Sequence, residues 1–335
     1  MLTKRSRVLV TGATGFVGTF LCQFLLQKGY RVKATGRKAQ FSIKHPMLEY
    51  RQITSMDENT DWDNCLNDVE VVVHLAARVH HTQDKGMQQL AQYQQVNVKG
   101  TQALAKAAIA NHVKRFIFLS TIKVNGEQTF DTSFRAEAQP RPQDAYSVSK
   151  LQGEQILQEV CRRSGMEWVI IRPPLVYGAG VQGNFRRLLK LAKSWLPLPF
   201  ATLKNKRSLV SVQNLSDFIE CCIRHPNASG EVFLVSDDLE ISTAGFIKLL
   251  RKAMGRRSGL VPFPQFLIKL LATCVGKRKE VQKMLGSLTL NIEKSKRLLN
   301  WAPPFTLEQS IEILIRAEHE INEPNVPTRM VEQQS

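Results

Sequence analysis

Hydrophobic residues along this chain fall into two alternating patterns. Short runs rich in Val, Ile and Phe carry little polar character: "SRVLVTG", "YRVKATG", "VEVVVHLAA" (Val69 to Ala77), "VKRFIFLST" (Val113 to Thr121) and "MEWVIIRPP" (Met166 to Pro174). Between them apolar residues recur every three or four positions, first as Phe16, Val17, Phe20, Leu21, Phe24 and Leu25, until Gly29. Runs apolar on both faces suit strands of a parallel sheet, and the helical spacing supplies its covering layers. Further helices are expected around Asn97–His112 and Tyr146–Ser164, the second closed by Gly165. The alternation predicts an α/β fold, a Rossmann-type doubly wound parallel sheet over residues 1–174. After Pro174 the periodicity breaks among prolines and glycines, so 175–320 is expected to be a smaller, irregular, mainly substrate-binding region. "EVFLVSD" (Glu231 to Asp237) reads as one more strand of the main sheet, and 323–335 as a flexible tail.

Composition narrows the class. A chain of 335 residues with 43% hydrophobic and 22% charged positions is ordinary for a globular protein. No stretch approaches the roughly 20 apolar residues needed to span a bilayer. The N-terminus runs straight into a strand and does not read as a signal peptide. Cysteines 22, 65, 161, 221, 222 and 274 show no CxxC, which points to reduced thiols in the cytoplasm and to no metal site. The net charge of +17 is unusual, and Lys248–Arg297 holds thirteen Lys or Arg against two Glu. A solvated basic face accounts for such a balance, and nucleic acid, an anionic membrane surface or a phosphorylated substrate are the alternatives. With no aromatic-interleaved basic motif, a nucleic-acid partner is not expected. "PQFLIKLLATCVGKRKE" (Pro264 to Glu280) reads as a core helix with a basic end, with peripheral membrane contact as the alternative.

Two motifs carry chemistry. "VTGATGFVG" places Gly12, Gly15 and Gly18 directly after a strand and at the start of a helix. Such glycines permit a tight turn and close approach to a pyrophosphate, while the helix N-terminus offers N–H groups and a positive dipole. "AYSVSK" places Tyr146 and Lys150 four apart, on one face of a helix. An ammonium beside a phenol lowers its pKa, and Ser120 or Thr121 at the preceding strand end offers a hydroxyl to the same substrate oxygen.

Over residues 6–315 the chain resembles the extended short-chain dehydrogenase/reductases, which act mostly on nucleotide-sugars. The resemblance rests on the glycine triplet, "HLAA" at 74–77, "NVKGT" at 97–101, Ser120–Thr121, the Tyr146/Lys150 pair, "RPPLVYG" at 172–178 and "LLNWAPPFTLEQSI" at 298–311. It implies Tyr146 as catalytic acid/base, Lys150 as its partner on the nicotinamide ribose, and Thr121 on the reacting sugar oxygen. It places Gly12, Thr14, Gly15, Phe16, Val17 and Gly18 around the pyrophosphate, with Leu75, Ala76 and Ala77 beneath the cofactor. Asn97 and Pro173 fall among the cofactor-side positions. Arg207 matches an arginine on the substrate diphosphate, and Asn184 lies near another phosphate-facing position, or caps a helix. A homodimer through two long helices of each subunit is also implied.

Departures from the family pattern shape the expectation. An NAD-preferring chain usually places a carboxylate about twenty residues past the glycine motif, whereas this one reads Gly36-Arg37-Lys38. Arg37 and Lys38 suit a 2′-phosphate, so NADP(H) is favoured, with NAD as the alternative. Gln52, ahead of Ile53, replaces the acid often found near the adenine. Asn125 replaces the usual Tyr of a Val-Tyr-Gly motif. Ile122-Lys123 stands where sugar dehydratases carry Asp-Glu, which argues against dehydration. The stretch from Leu209 to Leu250 is similar to bacterial surface-polysaccharide enzymes that reduce a UDP-4-keto-6-deoxy-N-acetylhexosamine. The first expectation is therefore an NADPH-dependent 4-ketoreductase. The alternatives are a UDP-glucose or UDP-N-acetylglucosamine 4-epimerase, an oxidoreductase acting on another carbonyl or alcohol such as a sterol, and a non-catalytic NADP-sensing scaffold.

Overall fold

The structure is a computed structural model that describes residues 2, 6–79, 87–181, 183–264 and 285–322. Most of the 264–280 segment, Cys274 and the 323–335 tail lie outside the described residues. The strands are β1 (Arg7–Thr11), β2 (Arg31–Gly36), β3 (Leu48–Gln52), β4 (Val71–His74), β5 (Arg115–Leu119), β6 (Glu167–Arg172), β7 (Leu175–Tyr177), β8 (Arg207–Ser211), β9 (Glu231–Leu234) and β10 (Glu240–Ile241). Seven pair in parallel in the order β3-β2-β1-β4-β5-β6-β9, and a small sheet has the order β10-β8-β7. This is the Rossmann-type doubly wound sheet that the apolar runs predict. β9 joins β6 in register, Val169 opposite Glu231 and Ile171 opposite Phe233.

The strands are apolar throughout because both faces are covered. Val8, Val10, Val71, Val73, Ile117 and Ile171 pack toward α1 (Phe16–Gln27) and α7 (Val212–Arg224), against Leu21, Leu25, Phe218 and Ile219. Leu9, Val72, Phe116, Phe118 and Ile170 pack on the other face against Leu104 of α4 (Gly100–Ala110) and Leu157 of α5 (Ala145–Arg162). Four helices intervene in chain order: α2 (Asp63–Leu66) and α3 (Met87–Tyr93) before α4, then α6 (Asn184–Lys193) between α5 and α7, and α8 (Thr243–Ala253) after α7. α9 (Glu293–Leu299) and α10 (Leu307–Asn322) close the described chain. Tyr177, Phe185, Leu189, Phe246, Leu250 and Leu314 form a separate core joining α6, α8 and α10 to the small sheet.

One helix starts earlier than its apolar spacing predicts. α3 leads into a π-helical stretch, Gln94–Lys99, and only then into α4. The Gln-rich lead "MQQLAQYQQ" has too few apolar residues to show helical periodicity.

The strand order reverses between β1 and β4. The chain departs from the two strands in opposite directions there, which opens a crevice at their carboxyl ends, where α/β sheets bind ligands.

Candidate active site

The turn leaving β1 forms one wall of that crevice. Gly12 has φ +68, and a Cβ there would lie 2.7 Å from the Ala76 backbone nitrogen, so the turn and the strand-end loop of β4 touch directly. A Cβ on Gly18 would lie 2.7 Å from Ala13 Cα, which holds α1 against the turn. Gly15 differs: it is exposed and caps α1 with no side-chain hydrogen bond. The first-turn N–H groups, around Phe16 and Val17, therefore face outward without a side-chain cap, in the arrangement an anion uses. Leu75, Ala76 and Ala77 form the facing wall, half-buried.

Tyr146 and Lys150 project from the first turns of α5 on one face, as their spacing predicts. Their electrostatics differ from expectation. Burial, then the charge of Asp144 and the nearby Tyr93, hold the Tyr146 phenol above its ordinary value. Lys150 does not counter this, because burial pushes its own ammonium down to about 7, opposed by Glu154. Its Nζ lies 3.9 Å over the Phe118 ring, on an aromatic floor that includes His74. His74 is buried between Thr11 and Thr101 and, by burial and then the charge of Lys150, stays neutral.

The β5 end supplies hydroxyls. Thr121 Oγ1 accepts only a long bond, 3.4 Å, from Lys123 N–H. Ser120 Oγ is buried without a protein partner. A buried hydroxyl with no partner is costly unless a ligand supplies one. The open glycine turn and this orphaned hydroxyl fit a dinucleotide cofactor.

The remaining sequence-predicted positions fall into two groups. Asn97 is buried, and its amide bonds Arg78 N–H and C=O and Ser149 Oγ, bracing the β4 loop onto α5. Pro173 C=O accepts from Ile122 N–H at 2.9 Å. At the β2 end, Gln52 Nε2 donates to Arg37 C=O, Ile53 is buried, and Arg37 and Lys38 are exposed. Thr14 fills the space over Gly36: a Cβ there would lie 2.7 Å from Thr14 Oγ1. Arg207 is half-buried at the start of β8, its Nη1 donating to Gly286 C=O at 3.0 Å. Asn184 opens α6 one residue past its N-cap Gly183, and its side chain lies outside the description.

A family model described as "NAD dependent epimerase/dehydratase family" matches residues 8–236. The chain belongs to that family. A "UDP-glucose 4-epimerase" of Vibrio cholerae is 43% identical over 305 residues, 90% of this chain and 92% of that one. An "N-acetyl-alpha-D-glucosaminyl-diphospho-ditrans,octacis-undecaprenol 4-epimerase" of Escherichia coli O157:H7 is 26% identical over 93% and 95% of the two chains. Among solved structures, a UDP-glucuronic acid 4-epimerase from Bacillus cereus in complex with NAD matches with a TM-score of 0.75. It is 23% identical, over 96% of this chain and 99% of that one.

Two departures from the epimerase/dehydratase pattern now have structural reasons. Lys123, in place of a dehydratase-type acid, bonds Asp144 at 2.7 Å and Glu127 at 3.5 Å. Asp144 caps α5, accepting from Ser147 N–H while Ser147 Oγ accepts from Asp144 N–H. Burial opposes ionisation of Asp144, but Lys123 and Ser147 hold its carboxyl down at about 2. Lys123 is thus a clamp on the helix that carries Tyr146. Asp144→Ala is expected to cost about 1–2 kcal/mol in urea unfolding at pH 7. The cap's contribution is full above the ordinary carboxyl pKa near 4 and fades as pH falls toward 2, so wild type and variant converge there. Equal stability at pH 7 would remove Asp144 from this role.

Asn125 is the second departure. Its Oδ1 accepts from Arg172 Nη1 at 3.0 Å, and its Nδ2 donates to Arg135 C=O at 3.1 Å. Arg172 also forks onto Glu154, Nε to Oε1 at 2.9 Å and Nη2 to Oε2 at 2.5 Å. Sequence reasoning missed Glu154, whose signal was its place four residues beyond Lys150 on the same helix face.

Proposed function

We propose that this protein carries out hydride chemistry at C4 of a UDP-linked sugar, with 4-epimerisation of a UDP-hexose or UDP-N-acetylhexosamine as its reaction. The reading is supported by the open glycine turn after β1, Thr121 after β5 and Tyr146 and Lys150 at the start of α5, which all follow the carboxyl ends of strands of the one parallel sheet, without an acid pair beside Thr121 for eliminating water. The Vibrio cholerae relative favours epimerisation over the ketoreduction that the sequence put first. Gly12, Gly15, Gly18 and the backbone of Thr14, Phe16 and Val17 would hold the pyrophosphate. Leu75, Ala76, Ala77, Lys150 and Pro173 would line the nicotinamide half. A bound nicotinamide supplies the hydride acceptor and donor at the sugar carbon.

The chain's own residues handle the proton and the position. Once its own proton has passed to another acceptor, Tyr146 Oη takes the proton from the C4 hydroxyl and returns it to the C4 oxygen after the sugar turns its other face. Thr121 Oγ1 bonds that oxygen and fixes its distance from the phenol. Lys150, its ammonium pushed by burial down to about 7, lies beneath the site over the Phe118 ring. Arg207, and the start of α6 at Asn184, would meet the diphosphate that tethers the sugar while it rotates.

The second reading, NADPH-dependent reduction of a UDP-4-keto-6-deoxy-N-acetylhexosamine, is favoured by the β2 end. There Gly36 lies under Thr14 with exposed Arg37 and Lys38, and a carboxylate that would repel a 2′-phosphate is missing. The purified protein should convert UDP-glucose or UDP-N-acetylglucosamine to its C4 epimer by NMR, with no net change in reduced-nicotinamide absorbance. Stoichiometric NADPH loss on the 4-keto sugar, with no epimer formed, would establish the reductase instead. Failure of both assays would overturn C4 chemistry altogether. Under the NADPH reading, Arg37→Asp weakens NADPH far more than NADH, and equal loss of both would take Arg37 off the 2′-phosphate.

A further inference from the structure

Away from the crevice, the C-terminal lobe presents an aromatic tip on a cationic face. α6 carries Arg186, Arg187, Lys190 and Lys193, and no Asp or Glu occurs from Gly183 to Ser216 or from Thr243 to Pro264. Directly after α6 the chain holds Trp195 and Leu196 in solvent, at 86% and 69% exposure. Leu191 in the last turn of α6 and Val261 are exposed as well. Val261 is fixed beside this turn by backbone bonds with Leu198 and Ala201.

The exposure of Trp195 is built into the fold. Arg251 of α8 is 2% exposed, and its guanidinium donates to the carbonyls of Ala192, Ser194, Leu196 and Ser258. It gathers the carbonyl end of α6 and the turn after it onto one buried cation, which fixes the backbone that carries the indole. Arg256 lies 4.7 Å from the Trp195 ring centroid and donates to Lys193 C=O. Core packing thus holds the turn from within, while a cation braces the indole from outside.

We propose that this face docks on an anionic lipid bilayer, with Trp195 and Leu196 entering the headgroup region and the cations of α6 and Arg256–Arg257 facing lipid phosphates. An indole is suited to that boundary, because its ring is apolar and its N–H remains hydrated. The surrounding charge has the sign that anionic headgroups attract, and the whole chain carries +17. A folded protein partner fits less well. Protein interfaces deplete charge around their apolar centre, whereas here Arg256 lies over the indole and the adjoining helix α6 carries Arg186, Arg187, Lys190 and Lys193. Among the described residues, Glu318 pairs Lys193 at 2.7 Å, and nearby Glu240 pairs Lys206 at 3.3 Å. The proposal is independent of the sugar chemistry.

The test uses the full chain with vesicles of phosphatidylglycerol and phosphatidylethanolamine, compared with phosphatidylcholine alone. The protein should sediment with the anionic vesicles, less so as salt rises, and its tryptophan emission should shift to the blue. Trp195→Ser with Leu196→Ser should cut sedimentation about tenfold or more with an unchanged melting curve. Arg187→Glu with Lys190→Glu should do the same while keeping the apolar tip. No sedimentation of the wild type, or equal sedimentation of the Trp195/Leu196 variant, would overturn the proposal. Lipid-free self-association that the same variant abolishes would overturn it too, by making the patch a contact between copies.

Discussion

Tyr146→Phe should lower turnover by about a hundredfold to ten-thousandfold while leaving cofactor affinity and the melting curve nearly unchanged. The ring remains in place, because phenylalanine keeps the aromatic contact with Tyr93 at 6.1 Å between centroids. Only the hydroxyl is lost, and with it the group proposed to move a proton at the sugar oxygen. Burial, Asp144 and Tyr93 keep the wild-type phenol protonated well above neutral pH. It is therefore poised to donate, and must lose its proton to another acceptor before it can act as a base. Turnover measured with saturating cofactor and sugar, alongside cofactor titration, separates the two effects. A variant within tenfold of wild type would mean that another group carries the proton. Turnover abolished together with cofactor binding would mean that the phenol holds the ligand rather than the proton.

The features that were legible in the sequence depend on neighbours in the chain. The runs around Val8, Val71, Ile117 and Ile170 show the doubly covered sheet because each strand's burial is written in its own residues. The glycine turn and the Tyr146/Lys150 face follow from spacing alone. What was not legible depends on residues brought together from afar. The state of Lys150 is set by Phe118 of β5 and Glu154, so reading it as a simple cation that lowers the phenol fails. Asn125 has no meaning until Arg172 and Arg135 come into reach. The core of the C-terminal lobe unites Tyr177 with Leu250 and Leu314, too distant to leave a periodic signal. Trp195 reads as one more apolar residue until its exposure is known.

Glu154→Gln should cost about 3–5 kcal/mol in unfolding free energy, the scale for breaking a buried ion pair. Glu154 is 2% and Arg172 4% exposed, so the amide would keep one acceptor oxygen toward the buried guanidinium but present an NH2 to the other donor and remove the charge that neutralises it. The same change should act on the site. Glu154 is the carboxylate that opposes the downward push of burial on Lys150, whose ammonium lies at about 7. Without it, Lys150 loses its proton at lower pH. If turnover needs Lys150 charged, activity falls as pH rises through that value, and this limb should move to lower pH in Glu154→Gln. Asn125→Leu provides the control, because it removes an acceptor from Arg172 but leaves the carboxylate. It should destabilise the fold by about 1–3 kcal/mol and leave the limb where it was. Both variants are compared under conditions where they remain folded, by pH profiles of kcat and by urea titration. Destabilisation by Glu154→Gln with an unmoved limb would make the Arg172–Glu154 pair purely structural. A limb moving upward would contradict the sign of the coupling, because removing a negative charge cannot strengthen the hold of Lys150 on its proton.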